Sequence, residues 1–519
     1  DGMIVAGKVL YKYKGSMPEN TKLIIPNEIV SITDEAFYDC ENLSNVIIPN
    51  SVASIGNRAF YGCENLLNVT IPSSVANIGH SAFEYCENLE SIPYGIKSIE
   101  DGTFKDCSNL VNITIPETVT SIASHAFEGC MRLENISIPD SVVDIGRYAF
   151  NCTEWYDNQP DGIVFAGKIL YNYKGDMPKN TDIIISNGTK AISQGAFSDC
   201  VNLRSISISN SISNISSDMF SGCTGLTNVF IPNTVTEIGY NAFEHCSSLK
   251  DINIPNSVTS IGNSAFYYCT SLENIVIPVG TKSIGSNAFY GCLNLSSVTI
   301  PNTVTSINEA VFGDCTKLKS IVIPESINAI KSFAFSGCTS LKTIIIPKNV
   351  NFLGHNCIGY YYDEDSHDYL KIENFKIYGY KNTAAEKYAQ DNGFEFISLA
   401  DDIIFSDKST GITVSGVMQN DAVLNVTKLE NTFKNSVATY DITLQKDGAV
   451  IQPDGTITVK IPSSAENCKV MWLKGDGTAE DMNAKYTDGC YVFTTDHLSV
   501  YALVQDKTIL TGDANQDGI

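Results

Sequence analysis

The chain reads as an α/β protein rich in β structure: a right-handed solenoid with a parallel sheet along its concave face, followed by an antiparallel β-sandwich. Three observations predict this. Cysteine recurs at a near-constant spacing, one apolar template fills each interval, and after about residue 400 the template gives way to short alternating strands. The cysteines stand at 40, 63, 86, 107, 130, 152, 200, 223, 246, 269, 292, 315, 338 and 357, then at 468 and 490; nine successive gaps are 23 residues and two more are 21 and 22.

Residues 43–63 write the template out as L-x-x-V-x-I-P-x-x-V-x-x-I-G-x-x-A-F-x-x-C, and it returns at 226–246, 249–269, 295–315 and 318–338. A period in this range with this leucine spacing is that of a leucine-rich repeat. Leu43, Val46 and Ile48 form a short strand with inward side chains. Pro49 ends the strand because it has no N–H for a ladder. Val52 and Ile55 turn back into the core. Ala59, Phe60 and Cys63 suit one helical or 3₁₀ turn packed on the next repeat. Gly56 invites a left-handed reading, but the same slot holds Glu100, Ala123, Ser216 and Lys331, so a small, tolerant turn is expected. Each unit buries its apolar face only against its neighbours, so the array stands as a stack. The cysteines read as a column of buried thiols rather than a redox or metal site. No C-x-x-C and no His pair at ligand spacing occurs, and in-register thiols suit disulfide geometry poorly.

The solenoid is assigned to residues 1–398, with β-hairpin insertions at 1–26 and 155–186. Residues 161–186 match residues 1–26 at sixteen of 26 positions, an offset of 160 that Cys40/Cys200 and Cys63/Cys223 keep, so the array is a tandem duplication. Ala166-Gly167-Lys168 forms the hairpin turn. Trp155, Tyr156, Tyr171 and Tyr173 are expected to pack the hairpin onto the solenoid; the alternative is an aromatic ligand patch. Residues 359–370, GYYYDEDSHDYL, read as an irregular, solvated acidic loop, with cation or sugar binding as the alternative. Near 383–392 a capping helix closes the stack, with Thr383 and Glu386 as its capping box and Gly393 as its stop.

Residues 399–508 read as an immunoglobulin-like β-sandwich. Seven strands are expected, at 412–417, 423–429, 440–444, 457–461, 469–473, 491–495 and 499–505, without the Trp that true members carry between two more widely spaced Cys. Cys468 and Cys490 fit a disulfide or two buried thiols equally. In residues 509–519, Asp513, Asn515 and Asp517 occupy positions 1, 3 and 5 of a calcium loop, with Gly518 at the sharp turn. The loop lacks its acidic ligand near position 12, so it is incomplete as it stands. No cofactor is assigned to the rest of the chain.

The repeat resembles the BspA-like leucine-rich-repeat family of bacterial surface proteins over about residues 20–398. That resemblance implies a secreted or cell-surface protein that mediates binding to host proteins or other cells. The tail resembles the start of a dockerin, the calcium-dependent module that plugs into cohesins on cellulosome-type scaffolds. It implies Ca²⁺ for the complete module, a cohesin partner, and a fibre-degrading bacterial source.

Charge excludes other classes. Against 58 Asp+Glu stand 34 Lys+Arg, a net charge of −24, which argues against nucleic acid and anionic membrane surfaces. No apolar run is long enough to span a membrane. The six histidines are scattered, with His80, His125 and His245 in variable turns, and none of the H-E-x-x-H, G-x-S-x-G or phosphate-loop motifs occurs. No catalytic residue is assigned. Binding is expected on the sheet instead. Its second outward column is mostly Asn or Ser and is read as stabilising the sheet. The third varies, and Phe230, Asn253, Val276, Thr299, Val322 and Ile345 are the candidates for contact with a partner, with Lys317, Lys319 and Lys342 alongside.

The expected function is that of a non-catalytic, adhesin-like interaction protein whose partner is a host or bacterial surface protein or a polysaccharide. The alternatives are a carbohydrate- or substrate-binding component of a cohesin–dockerin complex, or the ancillary region of a larger secreted enzyme. Residue 1 matches a position inside the array and Ile519 falls within the calcium loop, so the sequence is expected to be an excerpt.

Overall fold

The computed structural model describes residues 2–92, 96, 98–399, 403–416, 418, 422–430, 436–453, 455–475 and 478–505. It divides into two compact units. The first comprises Asp1–Lys319, Lys331–Ser340 and Gly354–Leu370; the second comprises Ser320–Ile330, Leu341–Leu353 and Lys371–Ile519.

In the first unit most repeats contribute three pieces of backbone, although residues 251–253 form no strand. The first is a strand of three to five residues, such as Leu43–Ile47, Asn68–Thr70 and Asn228–Phe230. These strands pair in parallel and in register, Asn45 with Asn68 and Ser207 with Phe230. The second is a two-residue strand, such as Ser54–Ile55, which pairs in parallel with Asn77–Ile78 to build a second sheet. The β-rich solenoid of stacked parallel strands is therefore the fold read from the template.

The third piece differs from the expected helical turn. Arg58 and Gly62 are left-handed (φ 52° and 69°), and Phe60 lies between them. Arg58, Phe60 and Gly62 donate their N–H groups to the carbonyls of His80, Ala82 and Glu84 in the next repeat, at 2.9 Å each. The pattern recurs at Ser81, Phe83 and Tyr85, and at Asn241, Phe243 and His245. A helix would turn these groups inward onto its own carbonyls; alternating handedness turns them outward to the neighbouring unit. The missed signal is the residue before nine of the fourteen repeat cysteines, which is Gly at 62, 129, 222, 291 and 337 and Asp at 39, 106, 199 and 314. These types tolerate the left-handed region best.

The core consists of columns. Phe37, Phe60, Phe83, Phe104, Phe127 and Phe150 are fully buried and stacked, with ring centroids 5.1 to 5.7 Å apart. That separation lies within the favoured range for offset stacking. All sixteen cysteines are free thiols. In the column, Cys63 donates its S–H to the Phe37 carbonyl (3.2 Å) and Cys86 to that of Phe60 (3.2 Å). Burial pushes the thiols up, Cys40 to about 11 and Cys200 to about 12, which suppresses the reactive thiolate. Gly56 keeps an ordinary φ, but a Cβ there would lie 2.3 Å from the Asp34 nitrogen. At this repeat it is the approach of the neighbouring backbone, and not handedness, that requires glycine.

Two hairpins punctuate the stack. Gly2–Ala6 pairs with Val9–Lys14, and Gly162–Ala166 with Ile169–Lys174, each with a bulge at the same place. The second strand of each continues the sheet of two-residue strands, Leu10 beside Ile32 and Leu170 beside Ile192. Residues 359–370 are not irregular: Tyr360–Asp363 and Asp368–Lys371 pair as a two-stranded sheet. The Asp363 carboxylate accepts from the Ser366 N–H and hydroxyl (3.0 and 2.6 Å), which closes the turn between them.

In the second unit, Thr343–Ile345, Lys376–Tyr380 and Glu395–Leu399 form a parallel sheet. The cap helix Ala384–Asn392 packs on it and buries Ala385, Tyr388 and Ala389. Gly393 ends the helix in the left-handed conformation (φ 64°). The capping box is not formed, since neither side chain reaches the other residue's backbone N–H. Glu386 accepts from the Asn382 N–H (2.6 Å), while the Thr383 hydroxyl turns away to the Tyr380 carbonyl (2.6 Å). Beyond residue 403 two antiparallel sheets fit a sandwich. The seven expected strands are present, joined by Ile403–Ser406, Ala449–Ile451, Ala479–Asp481 and Lys485–Thr487. These additions are short or lie at sheet edges, where alternation is weak. Cys468 and Cys490 are unbridged, and the Tyr491 hydroxyl links the Cys468 N–H (2.7 Å) to the Ala465 carbonyl (3.0 Å).

Candidate functional site: the outer columns of the parallel sheet

A strand three residues long points its middle side chain one way and its flanks the other. In Asn228–Phe230, Val229 is buried and both neighbours face out. Stacking in register therefore sets two parallel columns on the outer surface.

The first column is polar and bonded along itself. Asn135 donates to the Asn112 side-chain oxygen (2.7 Å), Ser297 to that of Asn274 (2.8 Å), and Ser205 to the Asp182 carboxylate (2.6 Å). Arg204 adds a bidentate pair on Asp182. That guanidinium, with the Ser205 hydroxyl, holds the Asp182 carboxyl down at about 2. Both side chains are about half exposed, so the pair contributes little to stability.

The second column has no such bonding role at its apolar positions. Phe230 is 59% exposed and Val276 71%, and Asn253 and Thr299 between and beyond them are also exposed. Val322, exposed, and Ile345, half-buried, hold the same template position in the second unit. The largest exposure was missed from sequence: Ile184, at 83%, lies beside Ser207 in the ladder. The sequence pattern places its segment in the hairpin insertion, whereas Thr181–Ile184 runs in the solenoid sheet. Ile24 is its counterpart in the first copy and is also exposed. Lys317 and Lys319 are solvated in the first unit and Lys342 in the second.

The turn edge offers a different surface, an open polar hollow lined by Asp34, Glu35, Asn57, Arg58, His80, Ser81 and Asp101. Its side chains bond to the neighbouring repeat, Asp34 accepting from the Asn57 N–H (2.7 Å) and Asn57 from the His80 N–H (2.9 Å). Asp34 and Asn57 are therefore structural. His125 is half-buried and shares the Glu128 carboxylate with Lys105 (2.8 and 2.7 Å). Trp155 and Tyr156 pack against Tyr171, as expected of the hairpin aromatics, with centroids 6.2 and 5.8 Å away. Among the described residues no group of metal-binding side chains converges and no helix is long and apolar enough to cross a membrane. Asp513, Asn515 and Asp517 lie outside the described residues.

The chain was also compared with known proteins. The family model for the BspA type leucine-rich repeat region matches residues 11–94, 91–160, 171–283 and 236–364. No curated protein matches the chain. Among solved structures, a leucine-rich cell-surface protein of Faecalibacterium prausnitzii is 26% identical, covering 73% of this chain and 92% of its own, with a TM-score of 0.30. A leucine-rich repeat protein of Bacteroides ovatus is 28% identical over 57% of this chain and 90% of its own, with a TM-score of 0.28. The pneumococcal vaccine antigen PcpA is 17% identical over 77% and 96%, with a TM-score of 0.27.

Proposed function

We propose that this chain, which belongs to the BspA-type leucine-rich-repeat family, is a non-catalytic surface interaction protein that captures a macromolecular partner on the outer columns of its sheet. The observation that carries this reading is the set of large apolar side chains, Ile184, Phe230 and Val276, exposed at alternate levels of one outer column, with Ser207 and Asn253 between them. Each loses about 25 cal/mol of unfavourable hydration per Å² covered. A partner that covers the set gains that energy without ordering the scaffold. The polar column beside it supplies a wet rim. The partner class is a host or bacterial surface protein, and the location is extracellular or on the cell surface. The sandwich serves as an immunoglobulin-like spacer. The loop Asp513, Asn515, Asp517 is assigned a calcium-dependent docking role with a cohesin, as the opening of a dockerin.

The test is to display the chain and the double variant Phe230→Asp, Val276→Asp on host-protein and glycan arrays. The expected result is saturable protein binding that the variant loses by roughly a hundredfold, as when a buried apolar hot spot is made charged. Its melting temperature should be unchanged. Binding confined to plant polysaccharide, or protein binding indifferent to the substitutions, would sink this reading.

A further inference from the structure

In two stretches of the turn edge, tyrosine, histidine and carboxylate side chains come together. The stretches differ in one respect. Around His125 the chain supplies its own cations. The His125 and Tyr148 rings lie 5.4 Å apart, and Lys105 shares the Glu128 carboxylate with His125. The Arg147 guanidinium lies over the Tyr148 ring at 4.7 Å. Earlier along the same edge, Arg58 lies over Tyr61 at 5.8 Å.

The second stretch has no such cations. The turns at 239–246, 262–269, 285–292 and 308–315 contain no Lys or Arg, but they carry Glu244, Glu309 and Asp314. Their aromatic rings are joined. His245 stacks on Tyr268 (5.5 Å), Tyr268 meets Tyr267 edge-on (4.8 Å), and Tyr267 stacks on Tyr290 (5.3 Å). Two glycines make room for them. A Cβ on Gly291 would lie 3.0 Å from the Tyr268 ring, and one on Gly313 would lie 2.5 Å from that of Tyr290. The Tyr290 hydroxyl bonds to the Asp314 carboxylate. Burial pushes the phenols of Tyr267, Tyr290 and Tyr369 up, and the Asp314 carboxylate adds to each. One carboxylate thus acts on three tyrosines. His245 is exposed, while Tyr267, Tyr268, Tyr290 and Asp314 are half-buried. Among the described residues no Lys or Arg lies over these rings and none pairs with Asp314.

We infer that this tyrosine-lined carboxylate is a docking site for an arginine side chain on a basic segment of a partner protein. Charge complementarity selects the occupant: the stretch is anionic, and Asp314 has no cation of its own. A planar guanidinium pairs with a carboxylate through two N–H donors and packs against aromatic rings, which a compact ammonium does less well. Tyrosine side chains add rigid contact area at low entropic cost. The chain shows the same preference, since the two cations placed over turn-edge tyrosines among the described residues are both arginines. The partner supplies in trans what the earlier stretch holds in cis. This site lies apart from the outer columns of the sheet and does not depend on them.

The experiment titrates the full chain, by calorimetry, with a capped Gly-Arg repeat peptide, its citrulline and lysine counterparts, and cellohexaose. The expected result is saturable binding of the arginine peptide, at least roughly tenfold weaker for both counterparts and for the Asp314→Asn variant. Asparagine keeps an acceptor for Tyr290 and tolerates the left-handed backbone at this position (φ 54°), so the melting temperature should not move. The Phe230→Asp, Val276→Asp variant should bind the peptide as the parent does; loss of binding there would overturn the inference, because the peptide would then sit on the sheet columns. Absence of binding, equal binding of the citrulline or lysine peptide, or indifference to Asp314→Asn would overturn it as well. So would capture of cellohexaose that Tyr267→Leu abolishes, because the occupant would then be a glycan.

Discussion

Four consecutive repeats carry two columns, one inside and one outside. Inside stand Phe243, Phe266, Phe289 and Phe312, all fully buried. Outside stand Phe230, Asn253, Val276 and Thr299, all exposed and all different. Both columns step by 23 residues, so both are equally regular in geometry. The difference lies in what each side chain must fit. An inner ring has a ring above and below it and a thiol–carbonyl bond nearby, so one side chain solves every level. An outer side chain meets solvent or a partner, and stacking places no demand on it. A repeat protein of this kind separates the residues that hold it together from those free to choose a ligand.

Substitutions can break or sharpen that contrast. The largest effect is expected for Phe243→Ala, which leaves a cavity between Phe220 and Phe266, whose rings lie 5.3 and 5.1 Å from it. It should cost about 3–5 kcal/mol in denaturant unfolding; a cost below that of a surface change would mean the stack does not carry stability. Tyr171→Phe keeps the ring and removes the acceptor of the Phe150 amide. A loss of about 1–3 kcal/mol is expected, with faster exchange of that amide. An unaltered exchange rate would remove the hydroxyl from this role.

Glu128→Gln should cost less, under about 1 kcal/mol, because the group is partly exposed. Burial raises the Glu128 carboxyl, but the hydrogen bonds from Lys105 and His125 outweigh it and the net direction is down. A depressed carboxyl stabilises above its unfolded value, about 4.3, and loses that contribution as pH falls through the folded value. The difference between wild type and variant should therefore be full at neutral pH and vanish in acid; a constant difference would refute the assignment. Smallest of all, Asn253→Val should shift stability by no more than about 0.5 kcal/mol. A larger shift would show that the outer column is structural after all.

Much of this was legible in the residues. The strand, its proline stop and the buried Phe and Cys positions follow from a template repeated many times, because stacking imposes one environment on each position. The outward columns follow from the alternation within a strand. What escaped was set by neighbours in space. The turns were expected to be helical because Ala59, Phe60 and Cys63 share a helical spacing, yet their amides are consumed by the adjoining repeat. Ile184 escaped because its segment also matches residues 1–26, so it read as part of the hairpin.

The turn ladder has one more consequence. Within each of the runs 37–127 and 197–312 the peptides ahead of the left-handed residues and the phenylalanine present C=O to the preceding unit and N–H to the following one, and the row breaks at Phe150. Ordinary sheets alternate these groups and cancel their dipoles; this edge adds them up. A block of repeats therefore carries an electrical polarity, negative at its carbonyl end and positive at its amide end, as a helix does. Two blocks abutting amide end to amide end would repel and leave donors unanswered. The array can grow, shrink or be spliced by whole repeats, but it admits them in one orientation only.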